Sequence, residues 1–266
     1  MSGARRKKRE RFFAKHPFCC FCGGGNPATT EDHIPARGLF LGRYWPEGYV
    51  FPACDPCNNS TSKDEFLLAW LVRINVTDYS QAAEKEFDRI CRDLQRTSPE
   101  IWATLRLHSR AETRRLQRDN NLPAFGLFPG VDIVHSMTVP PEVLLAADRY
   151  GVKLAKALHY FHTGKVVPLT GAVKVKVFTN AEAVGAASLN KVLQTLTEKP
   201  QIRRAQTTLN GQFDYNYVVV EDGAASAFVV SFGHSTIMVL VVFHDAQRYE
   251  ESKARRVLDQ QVIEDA

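Results

Sequence analysis

Four of the six cysteines fall into two pairs with the spacing of metal ligands, Cys19-x-x-Cys22 and Cys54-x-x-Cys57, with 31 residues between the pairs. Each Cys-x-x-Cys turn can aim both thiolates at one point. Two such turns complete the tetrahedral four-sulfur shell that structural zinc prefers. Gly23 and Gly24 follow the first pair and supply the tight turn it requires. With four thiolates the shell is closed, so this zinc staples the chain and does no catalysis. Zinc binding contributes about 10–16 kcal/mol in finger peptides, enough to fold a stretch as loop-rich as residues 16–63. Cys20 adjoins Cys19 and could compete for the ion, but Cys19 keeps the two-residue spacing. Cys91 falls on an apolar helical face and reads as core.

Polar groups surround the two pairs. Thr29-Thr30-Glu31-Asp32-His33-Ile34-Pro35-Ala36-Arg37 lies between them, and Asn58-Asn59-Ser60-Thr61-Ser62-Lys63 follows Cys57 directly. The series CFCG…EDHIP…FPACDPCNNSTSK resembles the HNH endonucleases of the ββα-metal group that carry a zinc clasp, over about residues 16–70. The resemblance implies that Asp32 and Asn58 hold one catalytic Mg²⁺ or Mn²⁺ and that His33 is the general base. Asn59 replaces Asn58 as ligand if the helix starts one residue later. Phosphodiester hydrolysis asks for such groups: a base for water, and positive charge on the phosphate. Histidine, with a pKa of about 6.5, can activate water at neutral pH. Asp32 and His33 alternate across a strand, so a twist or bulge is needed to bring both to one phosphate.

The chain departs from that family in two places. Trp45-Pro-Glu-Gly-Tyr-Val-Phe-Pro-Ala carries no middle Asn to support the base, and the last position of the motif falls near Thr61 or Ser62. These departures keep a second reading open, a zinc finger that binds nucleic acid without cutting it.

Positive charge is concentrated where a polyanion would use it. The net charge is +5, yet Arg5, Arg6, Lys7, Lys8, Arg9, Arg11 and Lys15 face only Glu10 within the first fifteen residues. Arg106, Arg110, Arg114 and Arg118 recur every four residues on a helix expected from Ser98 to about Asn120, with Arg115 beside them. Such a stripe can track a phosphate backbone. Arg37 and Lys63 are further candidate phosphate contacts, and Lys174 and Lys176 alternate outward on a strand. DNA is the expected partner. His159 and His162, at a helix end, read as structural groups.

These residues need elements to hold them. Helices are expected at 63–75, 80–96, 98–120, 140–161, 181–196 and 246–262. Strands are expected at 172–179, 213–220, 227–232 and 237–243. The fold class is α+β: a zinc-stapled ββα-metal (HNH) finger with a helical extension, then an α+β domain with an antiparallel-rich sheet. The parts are a basic arm (1–15), the finger (16–75), the helical extension (76–122) and the α+β domain (123–266), which is also a candidate surface for a homodimer. The chain lacks a Walker loop, a Gly-x-Ser-x-Gly elbow and a dinucleotide fingerprint. No apolar run approaches the roughly 18 residues of a membrane span, and no secretory signal opens the chain, so a cytoplasmic protein with reduced thiols is expected.

Overall fold

The computed structural model describes residues 3–74, 80–119, 136–179, 194–233, 235–247 and 250. The arm forms helix α1 (Gly3–Lys15), which buries none of its residues. Strand β1 (Thr30–His33) pairs antiparallel with β2 (Val50–Ala53), setting Asp32 opposite Phe51 and His33 opposite Val50. The short helix α2 (Asp55–Asn59) starts at once with Pro56 in its first turn, and α3 (Ser62–Arg73) follows. Cys19 and Cys22 precede β1, Cys54 caps α2 and Cys57 lies within it. Helix α4 (Gln81–Thr97) begins where Ser80 caps it, its hydroxyl accepting from the Ala83 amide at 3.2 Å.

The single helix expected from Ser98 to Asn120 is two helices. Helix α5 (Pro99–Thr104) ends at Leu105, strand β3 (Arg106–Leu107) pairs with β4 (Met137–Thr138), and α6 (Arg110–Asp119) starts afresh. The restart has a local cause. The Ser109 hydroxyl accepts from the Glu112 amide, and the Glu112 carboxylate accepts from the Ser109 amide at 2.9 Å, a complete capping box. Arg106 therefore leaves the arginine stripe.

Helix α7 (Pro141–Thr163) is the spine of the molecule. One side packs on α3 and the other on the sheet. The sheet is made of β5 (Ala172–Thr179), β8 (Asp214–Val219), β9 (Ala225–Phe232) and β10 (Thr236–Phe243), antiparallel throughout in the order β5-β10-β9-β8. A small hairpin, β6 (Arg203–Arg204) with β7 (Thr207–Thr208), precedes β8. In β10 buried and half-buried residues alternate strictly, with Met238, Leu240 and Val242 inward. At Gly151 the helix comes so close to β5 that a Cβ there would lie 2.6 Å from Val175 Cγ1.

One hydrophobic core runs through the finger and the sheet, from Cys19, Phe51 and Trp70 to Tyr150, Phe228 and Leu240. Hydrogen bonds cross with it: the Ala36 amide donates to the Tyr150 hydroxyl at 2.8 Å, and the Tyr49 and Tyr215 hydroxyls meet at 2.9 Å. Mixed helix and sheet with four clustered cysteines agrees with the α+β reading. The expected helix at 181–196 and the closing helix at 246–262 fall almost wholly outside the described residues, as does the 122/123 boundary. No helix among the described residues is long and apolar enough to cross a membrane.

Candidate zinc clasp and phosphate-facing site

The four sulfurs of Cys19, Cys22, Cys54 and Cys57 all lie within 4.8 Å of one another, close enough for one ion such as zinc. Cys19 and Cys54 are buried, and Cys22 and Cys57 are half-buried. N–H groups surround the sulfurs. The Asn26 amide points at Cys22 Sγ at 3.5 Å and Cys54 Sγ at 4.0 Å, and the Phe21 amide at Cys19 Sγ at 3.4 Å. Such donors steady thiolate charge. Cys20 is fully buried and outside this cluster. Burial and the neighbouring Cys19 push its thiol pKa up, which leaves it a protonated core group.

The regular β1–β2 register has no bulge, and Asp32 and His33 face different surroundings. Asp32, 6% exposed, turns toward α3 and α7. Its Oδ2 lies 2.7 Å from Lys153 Nζ, and Lys153 is equally sealed, at 6%. The same ammonium donates to Thr61 Oγ1 at 2.8 Å and to the Asn58 backbone carbonyl at 3.5 Å, with Glu65 Oε1 3.7 Å away. The Asn58 side-chain amide lies between the Asp32 carboxylate and the Thr30 hydroxyl; assigned by hydrogen bonding, its nitrogen donates to Asp32 Oδ1 at 3.2 Å and Oδ2 at 3.3 Å and its oxygen accepts from Thr30 at 3.2 Å. Burial raises the Asp32 and Glu65 carboxyls above their ordinary values, and for Asp32 it outweighs the opposing pull of Lys153.

This arrangement does not fit the divalent ion expected at Asp32 and Asn58. A ligand pair must offer oxygens to a common open point. Here the point beside Asp32 is taken by an ammonium, Lys153 Nζ lying 2.7 Å from Oδ2. The structure therefore brings Asp32 and Asn58 together, but around a lysine.

His33 stands in a cationic setting. Arg37 Nη2 lies 2.7 Å from His33 Nε2. A guanidinium only donates, so Nε2 is the acceptor and the imidazole is neutral with its proton on Nδ1. Burial first, then the charges of Arg37 and Arg204, push the His33 pKa down to about 4. Trp45 meets the imidazole edge-on, ring centres 5.0 Å apart. Arg37 and Arg204 lie 3.8 and 3.7 Å from the centre of the Trp45 ring. Two guanidiniums this close must take opposite faces of the indole. Arg204 is pinned by a hydrogen bond from Nη1 to the Trp45 carbonyl at 3.2 Å, and the Glu47 amide donates to the Arg203 carbonyl at 3.0 Å. Arg37 Nε is buried without a hydrogen-bond partner among the described residues. Arg43 adds to the positive field at Arg37, and neither Arg37 nor Arg204 has a carboxylate partner among the described residues.

Comparison of the chain with protein-family models, with curated proteins and with solved structures gives no significant match. The geometry alone therefore speaks for the site.

The remaining candidates are dispersed. Lys63 is exposed on α3, and Arg110 and Arg114 are exposed on α6. Arg106 ion-pairs with Glu112. Lys176 lies over the Phe178 ring at 5.6 Å. His159 is fully buried, with Nδ1 2.8 Å from Ser226 Oγ and Nε2 2.8 Å from His244 Nε2. His162 reaches the Tyr215 hydroxyl at 2.9 Å and stacks on Tyr217. Both histidines are thus held by partners within the fold.

The sequence reading missed Lys153 and Arg204 as members of the site. Lys153 had a signal, because it falls three residues after Tyr150 on the apolar stripe of α7 with Leu154 and Ala157. A charge on such a stripe needs a buried partner. Arg204, in a two-residue strand, had none.

Proposed function

We propose that the protein engages the phosphodiester backbone of nucleic acid at the face of His33, Arg37, Trp45 and Arg204, and hydrolyses it with His33 as the base that the HNH resemblance implies, Arg37 and Arg204 supplying the positive charge in place of a divalent ion. The observation that supports this most is unbalanced charge: two guanidiniums held on one indole beside a neutral imidazole, without a carboxylate partner. A phosphate matches such forked donors. DNA is the target the HNH resemblance favours.

The arriving phosphate would draw the Arg37 Nη2 donor onto itself and free His33 Nε2 to accept a proton from water. Its negative charge would also lift the imidazole pKa back toward neutrality. The step balances: the water oxygen bonds to phosphorus, its proton passes to Nε2, the opposite P–O bond breaks, and the leaving oxygen takes a proton from solvent. One such centre cuts one strand, so a monomer nicks. Both faces of Trp45 are covered, so no base stacks there and the contact is to backbone, independent of sequence.

A second reading, binding without cleavage, is favoured by Lys153 holding Asp32. Nicking of supercoiled plasmid separates the two. Wild type is compared with His33→Ala, with and without EDTA, zinc content being measured in both. Nicking that disappears in a zinc-loaded His33→Ala protein supports hydrolysis. A zinc-loaded wild type that binds plasmid with steep salt dependence yet leaves duplex DNA, branched DNA and RNA uncut moves the conclusion to the second reading.

A further inference from the structure

We infer that Lys153 is the resident cation of the Asp32–Asn58 pair, and that the protein binds no divalent ion there. The inference stands whether or not the finger cuts nucleic acid. The ammonium sits in an oxygen cage of Asp32 Oδ2 at 2.7 Å, Thr61 Oγ1 at 2.8 Å, the Asn58 carbonyl at 3.5 Å and Glu65 Oε1 at 3.7 Å. Phe21 closes one side, its ring centre 5.2 Å from Nζ. These partners use the donors an ammonium has to offer.

Lys153 has nowhere else to go. It is 6% exposed and rises from the middle of α7 among Tyr150, Leu154 and Ala157, all fully buried. A metal at Asp32 would therefore stand beside a second cation in a poorly solvated pocket. Two cations at ligand distance repel strongly where water screens them little. The lysine charge answers Asp32 at 2.7 Å, and Glu65, 3.7 Å away, accepts from the Thr61 hydroxyl at 2.8 Å. The Asn58 backbone carbonyl, 3.5 Å from Nζ, belongs to the same cage. The finger thus carries its own positive charge at the position where the HNH pattern expects a metal. Its grip on phosphate, made by arginines on the other side of β1, then needs no divalent ion.

Manganese binding tests this directly, by electron paramagnetic resonance on the full-length, zinc-loaded protein. Wild type is expected to bind no Mn²⁺ at this site, so its spectrum matches that of Asp32→Asn. Lys153→Met releases the Asp32, Thr61 and Glu65 oxygens and is expected to gain one bound Mn²⁺, which Lys153→Met combined with Asp32→Asn loses again. A wild type that binds one equivalent of Mn²⁺, lost in Asp32→Asn, overturns the inference. If Lys153→Met fails to fold, the wild-type and Asp32→Asn comparison still decides. Affinity for DNA is expected to be the same in EDTA as in Mg²⁺. Affinity that falls severalfold in EDTA with zinc retained, and is unchanged by EDTA in Asp32→Asn, would also overturn it.

Discussion

Asp32 and His33 adjoin each other in β1 and share no partner: the carboxylate meets Lys153, and the imidazole meets Arg37. The strand separates a buried ion pair from the residue proposed as the base. Substitution should separate them too. Asp32→Asn breaks the buried Lys153 pair, leaving only Glu65 at 3.7 Å, and is expected to cost about 3 kcal/mol, the low end of the range for breaking a buried pair. His33→Ala removes a half-buried ring and is expected to change stability little while abolishing any nicking. Denaturant unfolding and the plasmid assay, run on both variants, check the pair. Equal stability losses would refute the separation.

The cysteines should divide four against one. Serine at Cys19, Cys22, Cys54 or Cys57 is expected to lose the metal and unfold the finger, since metal binding supplies about 10–16 kcal/mol in comparable peptides. Cys20→Ala empties a small buried volume and is expected to retain one zinc and lose only about 1 kcal/mol. Metal content by mass spectrometry, alongside thermal unfolding, is the measurement. Loss of zinc in Cys20→Ala would reassign the clasp.

Arginines that contact phosphate announce themselves in the salt dependence of binding. Each contact adds roughly 0.9 to the slope of log affinity against log salt on duplex DNA. Arg37→Gln and Arg204→Gln are each expected to lower that slope by about one. Arg106→Gln is expected to leave it unchanged, because Glu112 already holds that side chain. An unchanged slope in both Arg37→Gln and Arg204→Gln would remove the proposed face from the interface.

His159 and His162 set an acid limit on stability. Burial, with the nearby His244 and Lys165 charges for His159, lowers both pKa values to about 4, against 6.5 in a solvated chain. The unfolded chain therefore takes up protons below about 6.5 that the folded one refuses until about 4. The stability these groups contribute is complete above pH 6.5 and is lost as the pH falls toward 4. His159→Gln should flatten the decline in unfolding temperature between those limits. A decline as steep as that of wild type would show that His159 does not set it.

Much of this architecture is legible in local pattern. The alternation in 172–179 and 237–243, the Pro140-Pro141 start of α7 and the two cysteine pairs all act over a few residues, and each gives its element. The break at Leu105 is also legible, in Ser109-x-x-Glu112, a second start signal inside the helix that Ser98-Pro99 opens. What local pattern does not carry is who meets whom. Lys153 reaches Asp32 across 121 positions, and Arg204 reaches Trp45 across 159. Those meetings follow from how α7 and the β6–β7 hairpin dock on the finger, which is decided by the packing of whole faces.

Helix α7 has a consequence for how the protein can be taken apart. It roofs the sheet with one side and plugs the finger with the other, sending Lys153 to Asp32 and Arg149 to Asp64. The finger is thus not a portable cassette. Cut out at its sequence borders and grafted elsewhere, it would keep its zinc ligands but carry an unanswered acid and a bare apolar flank. Any chimera that borrows the edge of Arg37, Trp45 and Arg204 has to borrow the long helix along with it.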